Sequence, residues 1–379
     1  MSTARLPVVL AALAAGIAQT VSPSGVAADE NAPLAALGPP PIPPDNPQTP
    51  EKIELGRMLF FDPRLSGDAS TACSSCHEPT TGWAFADDLS RGYPATVHWR
   101  NSQTIVNAAY YGKLFWAGSS KSLEGQARTA ARGAVAGNGE DDMMTVRLAL
   151  VPEYRERFRD VFGDTWPKLR NAWRAIAAFE RTLVQTDTPF DQYMRGDEGA
   201  LTEQQKRGLE LFQGKANCIE CHNGPMLTDE RYYNIGVPPA FRWEDDALAQ
   251  ITFRFEQFAK GVPEEMYRTV KDDAGFYYRT KEEVDKGKFR TPSLRYTLYT
   301  APYMHNGAFF DLFEVVEFYN EGGGENEFGA TKTDLIQPLG LTDEETEDLV
   351  AFLESLSGPE ILIEQPALPP YAPLPPAIE

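Results

Sequence analysis

Four cysteines and four histidines carry most of the reactive chemistry open to this chain, and they are not scattered. Cys73-Ser-Ser-Cys76-His77 and Cys218-Ile-Glu-Cys221-His222 each set two thiols three residues apart, with an imidazole directly after the second. Thiols at that spacing can bond the two vinyl carbons of a porphyrin. The adjacent histidine then reaches the iron as its proximal ligand. The pattern predicts two covalently bound haem c groups. A zinc site or a disulfide could use the same residues, but two complete pentapeptides with no spare cysteine favour haem.

A haem iron has a second axial face, and its occupant decides the chemistry. An open face binds peroxide or another small ligand, whereas a filled one makes an electron carrier. The two remaining histidines, His98 and His305, are candidates for that face. Each also suits a structural role, hydrogen-bonded to backbone or to a haem propionate.

Elements that could hold these motifs are mostly helical. Thr49-Pro50 reads as an N-cap with proline at the first helical position. Thr202-Glu-Gln-Gln205 and Thr342-Asp-Glu-Glu345 are capping boxes. Leu169, Trp173, Ile176 and Leu183 recur at helical spacing, and so do Leu349, Phe352, Leu353 and Leu356 ahead of a Gly358-Pro359 stop. Gly-x-x-Leu-Phe precedes both haem motifs, as Gly56, Leu59, Phe60 and as Gly208, Leu211, Phe212. This predicts an internal duplication. The expected fold is mainly α, with two cytochrome c-like haem domains, 49–198 and 199–358, and long loops. Residues 240–285 form a charged, aromatic-rich insertion without an evident role.

Arg5, the apolar run from Leu6 to Ile17 and Val26-Ala27-Ala28 form a signal-peptide pattern over 1–28. It predicts export to the periplasm, and no later stretch is apolar and long enough to span a membrane. Residues 29–48 are proline-rich and read as an extended linker rather than a core element, and the tail 359–379 is similar; whether either wraps over the folded body is left open by the sequence. The net charge of −20 over 379 residues argues against nucleic acid as a partner. It fits a basic protein partner, or solubility alone.

Several further segments resemble the bacterial dihaem cytochrome c peroxidases, whose superfamily includes the tryptophan-oxidising MauG and its relative MbnH. They are Phe60-Phe-Asp-Pro-Arg-Leu-Ser-Gly67, Arg100-Asn101, Phe115-Trp116, Phe289-Arg-Thr-Pro-Ser-Leu-Arg295 and Ala301-Pro-Tyr-Met-His-Asn-Gly307. They fall in the family's order over residues 50–357. The resemblance implies a haem peroxidase-type oxidoreductase. The haem on His77 would react with hydrogen peroxide, and the one on His222 would transfer electrons. Trp116 would lie between the haems, although a plain core tryptophan is the alternative. Asn101, Thr300 and Pro302 match the residues around an inter-haem calcium ion.

Fourteen residues after His305, where the peroxidases have a methionine ligand, this chain has Tyr319, as MauG-like proteins do. A phenolate favours oxidised iron, whereas a thioether favours ferrous. The alternative is a half-buried helix tyrosine; Met304 is near but misplaced in the motif. Tyr93 stands where some family members carry a switchable distal histidine, so the first haem is expected to be open. Gln126 matches the family's distal glutamine. Its catalytic glutamate falls on Glu140, Asp141 or Asp142, with Glu140 or Asp142 preferred, unless this is only a solvated acidic loop. Three functions follow. The first is oxidation of a side chain, a tryptophan above all, on a separate protein. The second is peroxide reduction with electrons from a small redox protein. The third is electron carriage without catalysis.

Overall fold

Twelve α-helices and two very short strand pairs form the regular structure among residues 32–93 and 96–373, the part described by a computed structural model. The helices are α1 (Pro50–Phe60), α2 (Leu123–Arg132), α3 (Asp141–Ala149), α4 (Pro152–Phe162), α5 (Leu169–Glu180), α6 (Pro189–Met194), α7 (Glu203–Gln213), α8 (Ala247–Ala259), α9 (Glu264–Thr269), α10 (Tyr277–Thr280), α11 (Leu312–Asn320) and α12 (Asp343–Ser355). Antiparallel pairs join β1 (Arg91–Gly92) to β2 (Thr96–Val97) and β3 (Tyr232–Tyr233) to β4 (Phe289–Arg290). The fold is mainly α. The signal-peptide segment 1–28 lies outside the described residues. Within them no helix is long and apolar enough to cross a membrane.

Local chemistry explains the helix starts. Thr49 Oγ1 accepts from Lys52 N at 3.3 Å, and Pro50 sits in the first turn. Thr202 and Thr342 each form the reciprocal box with Gln205 and Glu345. At the far end α12 stops at Ser355, three residues short of the expected Gly358-Pro359 stop.

The two helices that precede the haem motifs pack alike. α1 lies against α5 and α7 against α12. A Cβ on Gly56 would stand 1.9 Å from the Ala175 carbonyl oxygen, and one on Gly208 would stand 2.0 Å from that of Asp348. Only glycine permits so close an approach. Two cores result. One gathers Leu59, Phe60, Trp83, Ile176 and Phe179; the other gathers Leu209, Phe212, Leu349, Phe352 and Leu353. A third, smaller core of Trp99, Trp243, Phe253, Tyr277 and Tyr278 lies under the insertion. The Arg100–Asp273 ion pair at 2.6 Å ties that insertion to the body.

Expectations for the proline-rich ends need correction. The chain there is extended, as proline dictates, but it is no free linker. Leu34 and Leu37 are buried, and Leu34 belongs to the second core. Asn46, 1 % exposed, donates to Glu124 Oε1 at 2.7 Å and the Arg174 carbonyl at 3.0 Å. On the tail, Ile361 and Ile363 pack against the first core. Leu34 and the tail isoleucines thus lie on the half remote from them in sequence, whereas Asn46 stays on the first half.

Candidate haem sites

Each attachment motif winds into a single helical turn. His77 N donates to the Cys73 carbonyl at 3.1 Å, and His222 N to that of Cys218 at 2.9 Å. None of the four half-buried cysteines is in a disulfide. Both imidazoles use Nδ1 toward a main-chain oxygen. His77 donates to Trp83 O at 3.2 Å, and His222 to Leu227 O at 3.1 Å. A carbonyl only accepts, so Nδ1 carries the proton and Nε2 keeps a lone pair, the tautomer an iron requires. Burial pushes His77 down to about 4 and also lowers His222, so both rings are neutral. These residues fit covalent haem with histidine ligation.

Beside the second motif lies a cavity of about 530 Å³. Cys218, Cys221 and His222 line it, and so do Tyr319 from α11 and Met304. Burial, and then the two neighbouring thiols, hold the Tyr319 phenol well above its usual range. A phenolate at this place would need a cation beside it, which a ferric ion supplies.

Trp116 lines the same cavity. Its Nε1 donates to Asn101 O at 2.9 Å, and its ring stands edge-on to His305 with centroids 6.4 Å apart. His305 is buried and stacked on Phe289 at 3.7 Å. Asn101, Thr300 and Pro302 also reach this cavity. The Asn101 amide donates to Asp87 O at 2.9 Å. Its Oδ1, and the carbonyl oxygens of Thr300 and Pro302, accept no hydrogen bond among the described residues. Three uncommitted neutral oxygens fit a calcium ion that completes its shell with water. No group of three or more His, Cys, Asp or Glu side chains is set for a metal among those residues.

The distal candidates of the first haem are dispersed. Gln126 is half-buried on α2, with its amide unbonded among the described residues. Glu140, Asp141 and Asp142 are exposed at the start of α3, and Asp141 pairs with Arg132 at 3.4 Å. The loop before them lies against Tyr93, whose N donates to Ala136 O at 2.7 Å. His98 is held by main chain, its Nδ1 accepting from Arg100 N at 3.1 Å.

Sequence reasoning missed three residues. Trp83 and Leu227, which orient the proximal rings, lie six and five residues past their histidines, and that unequal spacing hides the correspondence. Glu180 is 3 % exposed, and burial pushes its carboxyl up to about 8. Burial, and then the neighbouring Glu180, push the Cys73 thiol up. A glutamate within the apolar stripe of α5 was the available signal.

A family model described as di-haem cytochrome c peroxidase matches residues 50–199. The chain is 53 % identical over 379 residues, 99 % of each chain, to cytochrome-c peroxidase IdrP1 of Pseudomonas sp. (strain SCT). It is 55 % identical to that of Denitromonas iodatirespirans, over 90 % of this chain and 91 % of the relative. Among solved structures, a MauG-like protein associated with microbial copper homeostasis is similar, with a TM-score of 0.71 and 30 % identity. That match covers 85 % of this chain and 93 % of the other.

Proposed function

The chain belongs to the di-haem cytochrome c peroxidase family, and from that premise we propose that it reduces hydrogen peroxide at the N-terminal site, where bound haem would supply the redox chemistry. Haem bound at the two motifs supplies the peroxide-reactive iron and the electron store. The chain's own residues do the rest. His77 holds the first iron, and Gln126 orients the peroxide. A carboxylate of the 140–142 loop, Glu140 or Asp142, moves a proton from the inner to the outer peroxide oxygen. Trp116 links the two centres. Tyr319 would ligate an iron at the second motif, and Asn101, Thr300 and Pro302 would hold a calcium ion. We place this chemistry in the periplasm.

The observation that carries the proposal is Tyr319 sharing one cavity with Cys218, Cys221 and His222. A hard anionic donor there would stabilise the oxidised states of an iron bound at the second motif. The fully oxidised protein should therefore react with peroxide without prior reduction.

Electrons then return from a small redox protein. That source is supported by the cytochrome-c peroxidase named in Pseudomonas sp., which aligns over 99 % of this chain. A second reading takes them from a side chain, a tryptophan above all, on a partner protein. Tyr319 and the likeness to a MauG-like protein favour it.

One equivalent of peroxide added to the ferric protein, followed by optical and EPR spectroscopy, tests the shared step. Prompt loss of both ferric signals is expected. A reaction that waits for reduction of the second haem would overturn the role given to Tyr319. Steady-state turnover with a small reduced cytochrome separates the two electron sources.

A further inference from the structure

We infer that the two terminal arms position the proximal histidines, each serving the haem motif at the far end of the chain. This rests on the reading of His77 and His222 as axial ligands.

The first site depends on Trp83, whose carbonyl accepts from His77 Nδ1. Trp83 is fully buried and has φ +59°, a left-handed conformation that a bulky side chain adopts only under constraint. Main chain of the body holds Trp83 directly, Trp83 N donating to Glu78 O at 2.9 Å and Ile105 N to Trp83 O at 3.3 Å, and the tail adds a further hold on its side chain. Trp83 Nε1 donates to Ile361 O at 2.7 Å, and Ile361 N donates to the hydroxyl of buried Tyr296 at 2.7 Å. Beyond Ile361 the tail stays attached. Arg57 donates to Glu364 O at 3.2 Å, Arg64 donates to Pro369 O at 2.8 Å, and the Arg64 guanidinium lies 4.5 Å from the Tyr371 ring centre.

The second site repeats this logic with the other arm. Leu227, whose carbonyl accepts from His222 Nδ1, is also fully buried and has φ +48°. Leu34 of the N-terminal arm lies in the same core. Gly224 N donates to Ala32 O at 3.0 Å. Arg295, 2 % exposed, joins arm to loop: it donates to Pro225 O at 2.6 Å and to Ala35 O at 3.2 Å. Asp191 completes the clasp, accepting from Arg295 at 2.9 Å and from Leu37 N at 2.9 Å.

The histidine's second hydrogen bond fixes its ring orientation and its basicity toward iron. An arm that holds the accepting carbonyl therefore acts on the iron through that bond. A merely stabilising arm would not select one haem over the other, so the crossed arrangement is the discriminating feature.

The test uses the haem-loaded protein in three variants: one ending after Gly358, one lacking residues 32–38, and Trp83→Phe, which puts a smaller aromatic ring in the same core and loses the indole N–H. The readouts are the ferric EPR signal and reduction potential of each haem, with the peroxide rate alongside. Loss of the tail should alter the haem on His77 alone and slow the peroxide reaction about tenfold or more. Loss of 32–38 should alter the haem on His222 alone. Trp83→Phe should reproduce the tail effect and add nothing to it when the two are combined. Unchanged signals in either truncation, or equal changes at both haems, would overturn the inference. A His77→Gly variant separates the premise: an unaltered first-haem signal there would remove the ligand assignment itself.

Discussion

At the scale of the residue, besides His305, which stacks on Phe289, the cavity at the second motif offers Tyr319 and Met304 as possible ligands to an iron. Their chemistry predicts opposite outcomes. Tyr319→Phe should change the second haem's ferric spectrum and abolish peroxide oxidation of both centres, whereas Met304→Leu should leave both intact. The reverse pattern would assign the thioether. Glu180 offers a second prediction. Burial raises its folded-state pKa from 4.5 to about 8, so between those values the folded protein holds a proton that the unfolded chain releases. Its contribution is fully present below pH 4.5 and is lost as pH rises toward 8, with a slope of up to about 1.4 kcal/mol per pH unit. Thermal melts at pH 5.5 and 8.5 should show this loss in the parent and its absence in Glu180→Gln; equal losses would mean that Glu180 is ionised throughout. The attachment residues were legible in sequence because their types and spacing are the chemistry, whereas Tyr319 was singled out only by the family resemblance. The acceptors Trp83 and Leu227 were not, because a main-chain oxygen carries no side-chain signature.

Among the elements, the repeated Gly-x-x-Leu-Phe has a packing reason. Gly56 and Gly208 let α1 and α7 press against the carbonyls of α5 and α12. Gly56→Ala and Gly208→Ala should each destabilise by about 1–3 kcal/mol or more through overpacking. Denaturant titration of the haem-loaded protein measures this, and a loss below about 0.5 kcal/mol would mean that the helices separate easily. Helix starts were readable from Thr49, Thr202 and Thr342, because a cap is a local interaction. The insertion's helices and the burial of Leu34, Leu37, Ile361 and Ile363 were not. A leucine in a proline-rich run looks the same whether it meets solvent or a core supplied by residues hundreds of positions away.

For the whole molecule, 55 acidic against 35 basic residues give a long-range field that favours a positively charged partner. The rate with a basic small cytochrome should fall as salt is raised from ~0.01 M to ~0.15 M, where the screening length contracts from about 30 to about 8 Å. A flat profile would leave the charge to solubility. The crossed arms also bear on how the protein is made. Trp83 and the Ile361 oxygen that anchors it are 278 residues apart. At roughly 5–20 residues per second, synthesis leaves them unjoined for roughly 15–55 s. Until then the Ile361 oxygen cannot hold Trp83, so the strap translated last closes the haem motif translated first.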